Sequence, residues 1–359
     1  MLFDTFALGS IPLKNRIVMA PLTRNRCDAD HIPTPIMAEY YAQRATVGLI
    51  ITEGTSPSPN GLGYPRMPGL FDARHVAAWR LITDAVHAKG GKIFVQLMHT
   101  GRASHAVNMP AGAEVVSSTS AALAGDMWTD ALGMQAPTAP RAMTDADITA
   151  AIAEHVHAAT LAIDAGFDGV ELHGANGYLI EQFLNANVNT RTDAWGGSAD
   201  ARNRFALEVA KATVAAIGAD RVGIRLSPFG AFNGTGPFDG VDAQYVALAT
   251  ALGALKLAYL HLVDHSSMGA PVVPAEFKRA VRAAFGGAFI ASGGFDKARA
   301  EQVLAAGEAD LVAFGRPALA NPDLVARMAN DLPLNPPDFA TFYTPGEKGY
   351  TDYAVSAAV

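Results

Sequence analysis

Along most of the chain, a short apolar run is followed by a polar turn and then by a longer stretch with apolar residues at helical spacing. The runs are Arg16–Ala20, Leu49–Thr52, Lys92–Leu97, Gly169–His173, Val222–Leu226, Tyr259–Val263, Phe289–Ala291 and Leu311–Phe314. They are short and mostly apolar. Between and after them the spacing predicts helices over Pro35–Ala45, Ala73–Lys89, Thr144–Ala165 and Asn203–Ile217, and over Gln244–Leu255, Pro274–Ala284, Lys297–Ala306 and Asn321–Asn330. The punctuation agrees. Pro35 opens the first helix, Gly90-Gly91 closes the second, and Thr144 with Asp145 and Asp147 starts the third.

Eight strand-then-helix units with no second domain to divide off point to a single (β/α)8 barrel spanning 1–359. A Rossmann-like open sheet is the alternative, but no G-x-G-x-x-G follows the first strand. Three stretches break the alternation. Residues 1–15, with Gly9 and Pro12, read as a small hairpin before the barrel. His99 to Arg141 is a long excursion rich in Ser, Ala, Pro and Gly, which predicts a lid or hairpin over a site. The tail from Asp331 is Pro-rich, then aromatic (Phe339, Phe342, Tyr343, Tyr350, Tyr353), and is expected to pack back onto the body.

Composition narrows the class. Lys and Arg number 27 against 34 Asp and Glu, a net charge of −7, which argues against nucleic-acid or anionic-membrane binding. The single cysteine, Cys27, has no internal partner and suits a reducing compartment, where it reads as a bland free thiol. No basic leader or bilayer-length apolar run is apparent, so the expected location is the cytoplasm. The expected assembly is a monomer or homodimer.

A barrel of this kind carries its chemistry at the C-terminal ends of its strands. Those positions hold Pro21-Leu22-Thr23, Glu53-Gly54, Gln96, Met98-His99, His173, Arg225, Asp264-His265, Ser292-Gly293-Gly294 and Gly315-Arg316. Glycines after strand seven and a Gly-Arg after strand eight form the usual phosphate position of the fold, where backbone N–H groups approach and an Arg binds bidentately. Either alone is more often a turn or a surface cation; together they favour a phosphate.

The remaining strand ends offer neither a Schiff-base lysine nor acids paired for hydrolysis. A metal is not expected. His261 and His265 are four residues apart along a strand, so roughly 13 Å separates them at 3.3 Å per residue. What is left, Thr23, Gln96, His173, Asn176 and Arg225, suits a bound electron-accepting heterocycle and a carbonyl substrate. Glu171 faces the same interior as His173, and a buried carboxylate needs a partner. Arg225 on the next strand is the expected one.

The residues resemble the Old Yellow Enzyme family of flavin-dependent ene-reductases, collinearly and nearly end to end. The resemblance rests on Met19-Ala20-Pro21-Leu22-Thr23-Arg24, Tyr40-Tyr41-Ala42-Gln43-Arg44, Gln96-Leu97-Met98-His99-Thr100-Gly101-Arg102 and Gly166 to Leu184. It continues through Arg191-Thr192-Asp193-Ala194-Trp195-Gly196-Gly197-Ser198, Phe314-Gly315-Arg316-Pro317 and Gly349-Tyr350-Thr351-Asp352-Tyr353.

The resemblance implies a barrel holding non-covalent FMN, reduced by NADPH or NADH and then reducing an activated C=C bond. Thr23 would bond flavin O4, and Gln96 and Arg225 the pyrimidine edge. Ala20, Pro21, Leu22 and Gly54 would line the ring; Gly293, Gly294, Gly315 and Arg316 would hold the phosphate, with Phe314 completing the cofactor set. His173 and Asn176 match the pair gripping a substrate carbonyl, and Tyr178 the acid that protonates the α-carbon. Tyr64 and Tyr343 match aromatic residues lining the substrate mouth, and Phe232 and Asn233, after strand five, fall where the family meets nicotinamide and larger substrates.

Met98 departs from the Trp often found there and is expected to soften the pocket. The 103–141 stretch matches the family poorly. Nitroester, nitroaromatic or dienoyl-thioester reduction is the alternative within the family. A flavin-binding redox sensor is the alternative outside enzymes, disfavoured by the intact His173, Asn176 and Tyr178 set.

Overall fold

Each predicted strand run forms a parallel strand in the computed structural model, which describes residues 1–357. The strands are β1 (Ile17–Met19), β2 (Leu49–Thr55), β3 (Ile93–Leu97), β4 (Gly169–Gly174), β5 (Val222–Leu226), β6 (Tyr259–Val263), β7 (Ala288–Ser292) and β8 (Leu311–Phe314). β1 pairs with both β2 and β8, so the sheet closes into a (β/α)8 barrel. Successive strand residues alternate between two cores. Ile17, Ile50, Ile93, Val95, Val170, Leu172, Ile224 and Val312 meet the surrounding helices. Val18, Leu49, Ile51, Phe94, Tyr259, Ile290 and Leu311 fill the barrel interior. Because both faces are covered, the strands are mostly apolar, interrupted by Gln96, Glu171, His173, Arg225 and His261.

The helices start where their caps dictate. Asp72 accepts from the Arg74 and His75 amides to open Ala73–Ala88, and Thr144 with Asp147 forms a full capping box on Asp145–Asp164. Two helices begin earlier than predicted. The one over 203–217 starts at Ala199, because Ser198 accepts from the Ala201 amide, and the one over 244–255 starts at Val241. The segment over 321–330 holds only Leu324–Ala329, with a separate short helix, Arg316–Ala320, directly after β8.

The three irregular stretches fold as expected. Phe6–Leu8 pairs antiparallel with Ile11–Leu13, and Leu8, Ile11 and Leu13 plug the N-terminal end of the barrel. The excursion after β3 contains a hairpin, Met127–Thr129 against Gly133–Gln135, and is anchored where Val116–Ser117 pairs with Arg141–Ala142.

The tail returns to the body. Tyr350 is fully buried and stacks on Tyr40 at 4.0 Å. Arg24 donates to the carbonyls of Gly349 (2.6 Å) and Phe342 (3.0 Å), and Arg26 to those of Phe342 (2.7 Å) and Thr341 (2.8 Å). These contacts set Tyr343, the next residue, at the barrel mouth. Cys27 is buried with its thiol 3.7 Å from Met37 Sδ. Among the described residues no helix is long and apolar enough to cross a membrane.

Candidate active site

The loops at the C-terminal ends of the strands are fixed by buried polar groups before any ligand is considered. β2 carries a register shift between Ile51 and Gly54. Glu53, within the shift, accepts from the backbone amides of Arg24 (3.1 Å) and Asn25 (3.2 Å) and from Tyr41 Oη (3.2 Å). That carboxylate therefore holds the loop bearing Thr23. Burial raises its pKa, opposed by these same bonds. Gly54, next along, leaves room for the Met98 side chain, which a Cβ 2.4 Å from its Sδ would push aside.

β4 ends on the Gly174 to Tyr178 loop. Asn176 adopts φ 59°, the left-handed region that Asn tolerates better than most residues. Its amide donates to Ser227 Oγ (2.9 Å) and its carbonyl accepts from Asn233 Nδ2 (2.8 Å). Beneath the loop Glu181 accepts from the Gly177 amide (2.5 Å) and from Ser227 Oγ (3.0 Å). Burial pushes the Glu181 carboxyl up to about 8.

Inside the barrel top, His173 on β4 stands opposite Arg225 on β5. Both side chains are buried, and His173 Nδ1 and Arg225 Nε lack a hydrogen-bond partner among the described residues. Unpartnered buried donors and acceptors are rare in native proteins and call for an explanation. Burial first, then the Arg225 cation and the His261 and His265 rings, holds the His173 imidazole well below the ordinary histidine range, so it is neutral. Gln96 donates its Nε2 to Glu171 Oε1 at 2.8 Å, which leaves its amide oxygen as an acceptor.

The expected Glu171–Arg225 pair does not form. Glu171 Oε2 bonds His261 Nδ1 at 2.8 Å, with both side chains fully buried. The reason is barrel geometry: interior layers are built from alternate strands, so β4 and β6 share a layer while β5 contributes to the next. Arg225 acts on Glu171 only through its charge.

A cavity of ≈ 770 Å³ opens beside this cluster. Thr23, Tyr64, Tyr178, Asn233 and Tyr343 line it, together with Leu123, Met127 and Trp128 of the excursion. The two phenols meet at Oη···Oη 3.1 Å, and the Tyr178 ring lies 5.2 Å from that of His173. Burial, reinforced by Tyr64, raises the Tyr178 phenol well above the ordinary range. Tyr343, 59% exposed, sits at the rim. Met98 is 2% exposed and does not line the cavity; it packs with Leu62 and Met67 behind Tyr64 and Tyr178. Phe232 packs edge-to-face on His265 at 4.7 Å.

The expected phosphate residues cluster on the far side. Ser292 pairs with Ala313, which brings Gly293-Gly294 and Gly315-Arg316 to adjacent strand ends. Gly293 must be glycine for the turn itself, because a Cβ would lie 2.1 Å from the Asp264 carbonyl oxygen. Gly315 carries no such demand, its nearest neighbour being Leu22 Cδ2 at 3.5 Å. Arg316 is exposed beside it. Ala20, Pro21 and Leu22 follow β1 on the same side, with the Ala20 amide bonded to the Phe314 carbonyl at 3.0 Å.

Sequence reasoning missed three contributions. His261 and His265 bond Glu171 and Asn176, partners that spacing along the chain does not show. The cavity wall built by Leu123, Met127 and Trp128 had no motif to mark it.

The family model for the NADH:flavin oxidoreductase / NADH oxidase family matches residues 1–335. The chain is 46% identical over 369 residues to a chanoclavine-I aldehyde reductase of Penicillium roqueforti, covering 99% of this chain and 96% of that one. It is 41% identical over 350 residues to a probable flavin mononucleotide-dependent alkene reductase of Leishmania infantum, covering 96% and 95%. Among solved structures, it superposes on an Old Yellow Enzyme homologue from Zymomonas mobilis with a TM-score of 0.94 and 38% identity, covering 98% and 99%.

Proposed function

The chain belongs to the Old Yellow Enzyme family of NADH:flavin oxidoreductases, and from that premise we propose that it is an FMN-dependent ene-reductase. It uses electrons from a nicotinamide to reduce the C=C bond of α,β-unsaturated carbonyl compounds. One observation carries the reading. Arg225 and His173 stand at facing positions in the barrel top, buried, with Nε and Nδ1 unpartnered among the described residues. Buried groups of this kind call for a partner, and at the C-terminal mouth of a barrel a ligand is the one the fold provides for.

The residues fit FMN on their own terms. Arg225 supplies a buried cation, the Gln96 amide oxygen is left as an acceptor, and Thr23 brings a hydroxyl to the cavity. The Gly293-Gly294 and Gly315-Arg316 strand ends lie side by side and would hold the phosphate, with the exposed Arg316 cation as its charge partner. When bound, FMN takes up electrons from the nicotinamide and supplies the hydride.

The chain's residues do the rest. His173 and Asn176 donate to the substrate's carbonyl oxygen, so the β-carbon becomes electrophilic and the negative charge arriving on oxygen is stabilised. Arg225 keeps its charge next to the neutral His173 and stabilises anionic character near the barrel axis. Tyr178 gives its proton to the α-carbon. Its raised pKa keeps the phenol protonated throughout the neutral range, and Tyr64 at 3.1 Å is placed to donate back to the emptied oxygen. The apolar wall of Leu123, Met127 and Trp128 accommodates substrates larger than a simple cyclic enone.

The test is direct. The purified protein should retain FMN and oxidise NADPH or NADH only when 2-cyclohexenone is added, forming cyclohexanone. Failure to hold FMN, or nicotinamide oxidation at one rate with and without the enone under anaerobic conditions, would overturn the proposal.

A further inference from the structure

The backbone of Asn176 is held at both its polar atoms. Its φ of 59°, its amide bond to Ser227 and its carbonyl bond from Asn233 set the backbone, so which end of the carboxamide faces the substrate depends on the side chain's own partner. The two ends are nearly equal in size and opposite in chemistry, one an acceptor and the other a donor. A carbonyl clamp needs the NH2 end aimed at the substrate. Something must select it.

The geometry points to His265 as the positioning residue that selects it, by donating from Nε2–H to Asn176 Oδ1 so that Nδ2 is left for the substrate's carbonyl oxygen. The two atoms lie 2.8 Å apart, and among the described residues Nδ2 has no partner. The imidazole is itself held in place. Phe232 packs edge-to-face on the ring at 4.7 Å, and the His265 carbonyl accepts from the amides of Met268 (2.8 Å) and Ala270 (3.3 Å). His265 lies just past the end of β6, on a different loop from Asn176, so the bond also ties the β4 and β6 loops together.

The ring acts as a neutral donor. Burial, together with Arg225 and His261, outweighs the opposing Asp264 charge and lowers the His265 pKa to about 4. Its influence is therefore one of hydrogen-bond direction, not of charge. The inference rests on the reading of His173 and Asn176 as the carbonyl clamp, and the two are separable by experiment.

The probe is 2-cyclohexenone bound to the oxidised FMN holoenzyme without nicotinamide, followed by perturbation of the flavin spectrum. His265→Leu should weaken binding about tenfold, the worth of one oriented hydrogen bond. FMN affinity should be unchanged. His265→Gln, which keeps a donor, should restore most of the loss. In an Asn176→Ala background His265→Leu should have no further effect.

Asn176→Asp offers a check that leaves His265 intact. It keeps the acceptor for His265 but replaces the NH2, so it should bind cyclohexenone as poorly as Asn176→Ala. Normal binding by His265→Leu, or an equal loss in the Asn176→Ala background, would overturn the proposal while sparing the clamp. Normal binding by Asn176→Ala would overturn both.

Discussion

At the N-terminal end of the barrel, Leu8, Ile11 and Leu13 close over Val18, Leu49, Phe94, Tyr259 and Leu311, all buried and apolar apart from the tyrosine hydroxyl. At the other end the same eight strands finish on Gln96, Glu171, His173, Arg225 and His261, also buried, with three of these groups, His173, Arg225 and His261, carrying atoms unpartnered among the described residues. Burial is equal at the two ends, and its consequences are opposite. Apolar burial below stabilises the fold, whereas polar burial above costs stability until a ligand completes the bonds. The lower end thus holds the protein together, and the upper end, where the proposed chemistry sits, is kept at some expense to the fold.

Substitutions separate the two ends. Phe94→Ala empties the lower core where Phe94 meets Tyr259 at 5.8 Å. It should destabilise by about 3–5 kcal/mol in chemical denaturation, with turnover per folded molecule unchanged. A large loss of activity in the folded fraction would break the division.

Tyr178→Phe should do the reverse. It should slow alkene reduction by about 10²-fold, a typical share for a positioned acid, while nicotinamide oxidation in the first half-reaction is spared. The melting temperature should hold nearly constant. Slowing confined to the first half-reaction would contradict the role given to the phenol.

The smallest effect concerns Glu181, beneath the Asn176 loop. Its carboxyl titrates at about 8 in the fold against 4.5 ordinarily, so folding favours the protonated form. That contribution is full below pH 4.5 and is lost as pH rises through 8. Melting temperatures measured across this range should fall more steeply for the natural chain than for Glu181→Gln. Equal slopes would remove Glu181 from the cost of the upper end.

The same contrast explains what could be read from the chain. The lower end and the helix layer were legible because apolar runs, caps and glycines act locally. The hairpin, the barrel and the returning aromatic tail all follow from such signals. The upper end was legible residue by residue but not in its pairings. Glu171 bonds His261 rather than Arg225 because layers join alternate strands, a relation that spacing along the chain does not encode. His265 meets Asn176 across 89 residues of sequence for the same reason. Met98 was readable as a departure, yet its place behind Tyr64 and Tyr178 depends on Gly54 from another strand.

The central claim is that the polar barrel top is incomplete without its cofactor, and Arg225→Met tests it most directly. Thermal melts of this variant and the natural chain, each with and without FMN, give the answer in one experiment. The apo variant should melt at or above the natural apo protein, since a buried cation has been replaced by an apolar chain of similar length. Added FMN should raise the melting point of the natural chain and no longer raise that of the variant. An apo variant that melts far lower, yet is still stabilised by FMN as the natural chain is, would show that Arg225 serves the fold and would contradict the account.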